Sequence, residues 1–384
     1  VQVLDDGPLF FRRSRGYAPV PVIMPGSKGA PVLAVGPELK NTVCLLKEDR
    51  AFLSPHVGDL QNLAAHRFFT ESLATLQEVL ECEPAVIAHD LHPGYFSTAW
   101  ARKREATLVG VQHHHAHLAA VMAEHGRSGR TLGLIMDGTG YGTDGTIWGG
   151  EILAGDLGGF DRVGHLEPVP LPGGDAAIRA PWRTAVSYLR HAFGDDLPEL
   201  PWLADRPTAP ILEMLAKGVN SPLTSSCGRL FDAVAALTGR WTEARYEAQA
   251  AIELMALTDD REVAAAAPLV EGFETRGADP FIMPVGEVVR GAAAAVLAGT
   301  GAAEVSARFH RTLIDMLVTA ARTGRDRTGI GTVALGGCVF PNEILLRGLT
   351  AALSGEGFTV LSPRLLPAND GAVSLGQAVV ARAR

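Results

Sequence analysis

Leu132-Gly133-Leu134-Ile135-Met136-Asp137-Gly138-Thr139-Gly140-Tyr141-Gly142-Thr143-Asp144-Gly145 runs directly into Thr146 to Trp148 and then Gly149-Gly150-Glu151-Ile152-Leu153-Ala154. The apolar run from Leu132 reads as a buried strand that ends on Asp137. The glycines after it read as a hairpin returning to a second strand. The stretch is not a Walker-type phosphate loop, because it lacks Gly-Lys-Ser/Thr and leads into a strand, not a helix. A Gly-rich hairpin can still aim backbone N–H groups at phosphates. A plain need for positive φ accounts for some of these glycines but not for Asp137.

Similar punctuation recurs further along. Val333 to Leu335 reads as a strand entering Gly336-Gly337-Cys338-Val339-Phe340-Pro341-Asn342, followed by a helix from Glu343 to Leu353. Strand, Gly-Gly, helix lets backbone approach a base or phosphate. Ser225-Ser226-Cys227-Gly228 opens a helix to Leu237 or Thr238, whose N-terminus offers an anion seat; capping alone also explains the serines. Asp370 stands before a last helix, Ala372 to Ala381, where it reads equally as an N-cap. Toward the amino terminus, runs at 31–36, 41–47 and 51–53 suggest an antiparallel meander, then a helix from Asn62 to Leu80 and a strand from Ala85 to His89. Further helices are expected at 180–194, 211–217, 244–257, 287–298 and 305–323. Arg12, Arg13 and Arg15 precede Pro19, Pro21 and Pro25, which suggests that residues 1–27 form an extended arm.

With 384 residues, the chain is long enough for two domains or one large bilobal unit. Hydrophobic residues at 47% and charged residues at 20% fit a globular protein with a large core. A net charge of −8 argues against nonspecific nucleic-acid binding, so no nucleic-acid partner is expected. No apolar run is long enough to span a bilayer and no signal-peptide pattern opens the sequence. Cys44, Cys82, Cys227 and Cys338 are scattered without a CxxC pair, which fits a reducing cytoplasm and argues against a cysteine zinc site. Cys338, in a Gly-rich stretch, could lie near a ligand but reads first as a buried structural thiol.

Gln112-His113-His114-His115-Ala116-His117 follows a strand-like run, Thr107 to Val111, and precedes an apolar helical run. On a helix His113 and His117 share a face, close enough for one ion, while His114 and His115 point elsewhere. Spacing alone leaves a solvated histidine cluster open. The strand places the histidines at its carboxyl end, where ligands collect in open α/β sheets.

Together the Gly-rich turns and the Asp closing the central strand suggest an α/β chain with the bilobal actin-like (ASKHA) fold and a nucleotide cleft between two lobes. The residues also resemble a family. RRSRGYAPVP (12–21), SPHVGDL (54–60), VQHHHAHLAA (111–120), MDGTGYGTDGTIWGGE (136–151), LPGGDAAIRAPWR (171–183), SSCGRLFDAVAALTG (225–239), GGCVFPN (336–342) and PANDGAVSLGQA (367–378) are similar to the carboxy-terminal, TsaD-like part of HypF-type carbamoyltransferases of nickel–iron hydrogenase maturation.

That resemblance implies an iron- or zinc-type divalent ion held by His113, His117, Asp137 and Asp370. It implies ATP or carbamoyl-adenylate bordered by Gly138, Thr139, Gly140, Gly142, Gly228, Gly336, Gly337 and Asn342, with Asp232 on the ribose. No residue is assigned a covalent catalytic role. The implied reaction is ATP-dependent transfer of a carbamoyl group, ultimately from carbamoyl phosphate, to the carboxy-terminal cysteine of HypE, as precursor of the cyanide ligands of the hydrogenase iron. Residues 1–27 would be a remnant of a YrdC-like domain, 28–130 with 366–384 one lobe, and 131–365 a second lobe with a helical insertion. The acylphosphatase, zinc-finger and YrdC-like parts of full-length members have no counterpart here, so only the transfer half-reaction is expected of this chain. Alternatives are carbamoyl transfer to a small metabolite or a tRNA adenosine, and a non-catalytic ATP- and metal-dependent HypE-binding partner.

Overall fold

The computed structural model describes residues 2–4, 7–14, 16–24 and 28–384. Arg15 and Pro25, part of the expected arm, lie outside the described residues. Two short strands, β1 (Gln2–Leu4) and β2 (Gly7–Leu9), pair as an antiparallel hairpin. The first sheet contains β3 (Val22–Ile23), β4 (Val32–Ala34), β5 (Cys44–Lys47), β6 (Arg50–Leu53), β7 (Val86–Asp90) and β8 (Thr107–Val111), in the order β3-β6-β5-β4-β7-β8. The expected meander is β4-β5-β6, and β4, β7 and β8 are parallel.

The second sheet is built on β9 (Thr131–Tyr141) and β10 (Ile147–Gly155), with β11 (Phe160–Leu166), β12 (Val169–Pro170), β13 (Leu223–Thr224), β14 (Phe281–Met283), β15 (Thr332–Gly336) and β16 (Thr359–Leu361) around them. β9 and β10 are the hairpin read from the sequence, but its turn is at 142–146, so Gly138 and Gly140 lie within the strand. β15 joins β9 in parallel, pairing Gly336 with Ile135. The two-sheet organisation agrees with the α/β class expected.

Against the second sheet lies the helix His113–Glu124, capped by the Gln112 side chain, which accepts the His115 N–H. Every residue from His113 to Ala123 is buried, so the helix shows no amphipathic stripe. One side packs on β9, β10 and β15, and another on the carboxy-terminal helix, Val373–Ala383. That last helix also covers β4, β5 and β7, and is tied to the first sheet by Gly36 N–H to Gln377 Oε1 (2.9 Å) and Thr42 Oγ1 to Ser374 Oγ (2.7 Å). Gly376 makes the helix pair close: a Cβ there would collide with the Ala116 carbonyl.

Two expectations are corrected. The helix expected at 244–257 runs only from Gln249 to Met255, because Ala248 takes a left-handed backbone (φ 58°) and the Gln249 Oε1 turns back to the Arg245 N–H. The described residues of the amino-terminal segment pack on the rest of the chain instead of forming an extended arm: Leu9, Phe10, Arg13 and Val22 are buried, and the Phe11 carbonyl accepts from Asn369, beside Asp370.

The Gly376 contact gives a direct test. Gly376→Leu should cost about 3 kcal/mol or more through overpacking, lowering the thermal midpoint and, because Ala116 shares its helix with the histidines, metal uptake too. Gly355→Ala, where a Cβ meets open space, should stay within about 1 kcal/mol of the parent.

Candidate metal centre

His113 and His117 come from the buried helix, Asp137 from β9, and Asp370 from the 3-10 turn Asp370–Ala372 that leads into the last helix. One ligand-type atom from each lies within 4.8 Å of the others, and all four residues are buried. His113 Nε2 is 3.3 Å from Asp137 Oδ2 and 3.4 Å from Asp370 Oδ1. His117 Nε2 is 3.7 and 3.4 Å from the same two oxygens. His113 Nε2, His117 Nε2 and Asp137 Oδ2 make no hydrogen bond. Orphaned buried polar atoms each cost about 1–3 kcal/mol. A divalent cation among them removes that cost, and two imidazoles with two carboxylates suit an iron- or zinc-type ion. The donor set therefore fits the ion the sequence implied.

Groups behind these four residues fix how they point. Asp90, the last residue of β7, accepts from His113 Nδ1 at 2.8 Å, which leaves the Nε2 lone pair facing the site. The Cys338 backbone N–H donates to Asp137 Oδ1 (3.0 Å) and its thiol to Asp370 Oδ1 (3.0 Å). Asp90 and Cys338 were missed as site residues. The available signal for Asp90 was that VIAHD, like LGLIMD, is an apolar strand ending on aspartate. His114 was expected to point elsewhere; instead its Nε2 is 3.7 Å from Asp137 Oδ2, in space left by Gly140, where a Cβ would meet the ring. His115 does turn away, with Nε2 donating to the Asp156 carbonyl at 2.7 Å.

Burial opposes charge throughout, yet the site stays charged. Burial raises the Asp137 and Asp370 carboxyls, but the His113 and His117 imidazoles beside them together hold both well below the usual carboxylate range. Burial lowers the pKa of His113, but the Asp137, Asp370 and Asp90 carboxylates around the ring raise it well above the ordinary value. Burial pushes His114 down to about 4, so its ring is neutral. Burial, with the Asp137 and Asp370 charges, holds the Cys338 thiol well above its ordinary value.

The expected nucleotide residues are divided. Gly138 follows Asp137 with open space where a Cβ would be, and a Cβ on Gly228, near the start of helix Cys227–Leu237, would come within 3.0 Å of the Gly138 Cα. Thr139 and Gly140 continue β9, and Gly142 opens the turn, its Cβ position filled by Trp148 and Asp144. Gly336 ends β15, and Gly337 takes φ 107° with its Cβ position against the Met136 backbone. Asp232 is buried and bonded to Arg229 Nε (2.8 Å). Asn342 caps its helix through Oδ1 and donates from Nδ2 to His310 Nε2 at 2.8 Å.

Two outcomes follow from this geometry. Asp90→Asn should weaken metal binding about 10–100-fold, and His113→Ala should weaken it further, as read by competition with a chromophoric chelator. Uptake should also strengthen with rising pH, since the ion displaces the proton His113 otherwise holds. His310 tests burial alone, because its pKa is pushed down to about 4. The unfolded chain then binds more protons between pH ~6.5 and ~4, so the stability from neutral His310 is complete above that window and lost through it. That loss should be about 3 kcal/mol. In His310→Gln, the thermal midpoint should fall less steeply from pH 6.5 to 4 than in the parent.

Known proteins share this arrangement of sequence and fold. Family models described as "HypF Kae1-like domain" and "Carbamoyltransferase, Kae1-like Domain, second subdomain" match residues 27–124 and 133–377. The carbamoyltransferase HypF of Rhizobium leguminosarum bv. viciae is 42% identical over 382 residues, covering 100% of this chain and 49% of its own length. A carbamoyltransferase HypF homolog of Cupriavidus necator is 40% identical, covering 93% of this chain and 92% of its own. A crystal structure of full-length HypF in a phosphate- and nucleotide-bound form superposes with TM-score 0.90 at 38% identity, over 97% of this chain and 49% of that one. HypF of T. kodakarensis superposes with TM-score 0.87 at 29% identity, over 99% of this chain and 50% of its own. The chain spans about half the length of the first curated relatives it matches. It belongs to the HypF carbamoyltransferase family, to the Kae1-like part of it.

Proposed function

We propose that this chain transfers a carbamoyl group from a carbamoyl-adenylate, derived from ATP and carbamoyl phosphate, to the carboxy-terminal cysteine of HypE in nickel–iron hydrogenase maturation. The observation that carries this reading is the convergence, in a chain of this family, of two imidazoles and two carboxylates whose site-facing atoms are largely unpartnered. His113, His117, Asp137 and Asp370 would hold the divalent ion, iron or zinc by donor type, which when bound supplies polarisation of a carbonyl. Asp90 keeps the His113 lone pair forward, and Cys338 keeps both carboxylates turned inward.

The adenylate lies, in this reading, along Gly138, Thr139, Gly140, Gly142, Gly228, Asp232, Gly336, Gly337 and Asn342. The open side of Gly138, next to Asp137, supports this. The two sheets then belong to two lobes, 28–130 with 366–384 and 131–365, with the cleft between them. In the transfer step the HypE thiolate attacks the carbamoyl carbon. A C–S bond forms, the C–O bond to the AMP phosphate breaks, AMP leaves and the thiol proton passes to water. The nucleophile comes from HypE. Cys338 is a poor alternative, because its thiol is bonded to Asp370 and kept neutral.

Incubating metal-loaded protein with HypE and carbamoyl-adenylate should add the mass of one carbamoyl group to HypE and release AMP. His113→Ala and Asp370→Asn should lower the rate about a hundredfold or more. No carbamoylation of HypE, even with the amino-terminal half of a full-length relative supplied, would overturn the proposal.

A further inference from the structure

His114 is enclosed by the site but has no part in holding the ion in the reading above. Its side chain is fully buried, and its Nε2 is an orphan 3.7 Å from Asp137 Oδ2. That distance is too long for a hydrogen bond. The ring lies 5.5 Å from that of His113, centroid to centroid, with Trp148 at 5.9 Å on another side.

Gln112 decides which ring nitrogen carries hydrogen. Its Oε1 accepts the His115 backbone N–H at 2.8 Å, so its amide nitrogen is the atom turned inward. That nitrogen reaches His114 Nδ1 at 2.9 Å and the Tyr141 carbonyl at 3.2 Å. An amide nitrogen only donates, so Nδ1 of His114 accepts and the hydrogen sits on Nε2. His113 is the reverse case: its Nδ1–H goes to Asp90, so Nε2 is the nitrogen that offers a lone pair once an ion displaces its proton. Adjacent histidines therefore offer one site opposite chemistry, a lone pair from His113 and an N–H from His114.

We propose that His114 is not a metal ligand but a hydrogen-bond donor, through Nε2–H, to the carbonyl oxygen of the carbamoyl group being transferred. The inference rests on the carbamoyl-transfer reading. As the thiolate attacks, that oxygen gains negative charge, and a fixed donor in a dry site stabilises the change without reorganising. The ring needs no movement to act, since Gln112 sets its tautomer and the bare Cα of Gly140 leaves its space.

The test compares His114→Met, of similar bulk without a donor, with His114→Gln, whose amide restores an N–H, and with His113→Ala. Metal-loaded His114→Met should keep the parent's ion affinity within about threefold, where His113→Ala loses it, and its carbamoyl-transfer kcat should fall about 10²–10³-fold. His114→Gln should recover most of that rate. In protein carrying nitrogen-15 histidine, the resonance absent from His114→Met should show the Nε2–H tautomer. An ion affinity in His114→Met as poor as in His113→Ala, an Nδ1–H tautomer, or an unchanged kcat in His114→Met would each overturn the inference. A parent protein that binds metal yet carbamoylates nothing counts against the functional reading instead, and the tautomer then decides the donor by itself.

Discussion

Burying the first turn of a four-histidine helix is the constraint on which the rest of this structure depends. An imidazole nitrogen removed from water is costly unless it is bonded. The protein meets that cost on one side of the turn only. His113 Nδ1 has Asp90, His114 Nδ1 has Gln112, and His115 Nε2 has the Asp156 carbonyl. The Nε2 atoms of His113, His114 and His117 are left facing inward without partners. Packing holds this arrangement in place, because Gly376 brings the last helix against Ala116 and the same helix anchors on the first sheet through Gln377 and Ser374. The site is therefore set on core elements instead of mobile loops, and a small shift of either helix would move the histidines.

The two sheets supply the acids by the same device. β7 ends on Asp90, and β9 reaches Asp137 near its carboxyl end, each from an apolar strand in a parallel neighbourhood. The register decides their different roles. Asp90 pairs opposite Val111, two residues before His113, so it sits behind the imidazole. Asp137 lies two residues past Ile135, the last residue of β9 paired with β15, where the Cys338 N–H meets its carboxylate. Carboxyl ends of parallel strands carry ligands in open α/β sheets, and here two such ends enclose one buried helix.

Much of this was legible in the sequence. Asn62, Ser226 and Gly218 mark helix ends as their residue types predict, and the β9–β10 hairpin follows from LGLIMD and its glycines. The pair His113 and His117 follows from helical spacing, and the family resemblance joined Asp137 and Asp370 to it. What was not legible depends on burial and register. Helical spacing sent His114 away from the site on the assumption of one exposed and one buried face; a helix buried all round has no such distinction. No local pattern states that His114 fills the space Gly140 leaves. Asp90 acquires a role only once β7 lies beside β8, a long-range fact that no local pattern states.

The order Gln112-His113-His114 is thus chemical as well as positional. A lone pair at position 113 requires an acceptor behind the ring, and Asp90 can only accept while ionised. An N–H at position 114 requires a donor behind the ring, and an amide nitrogen can only donate. Exchanging the two supports would reverse both rings, turning a hydrogen toward Asp137 and Asp370 where an ion needs electrons. The three-residue run works because two strands and a helix cap place an acid behind one histidine and an amide behind the next.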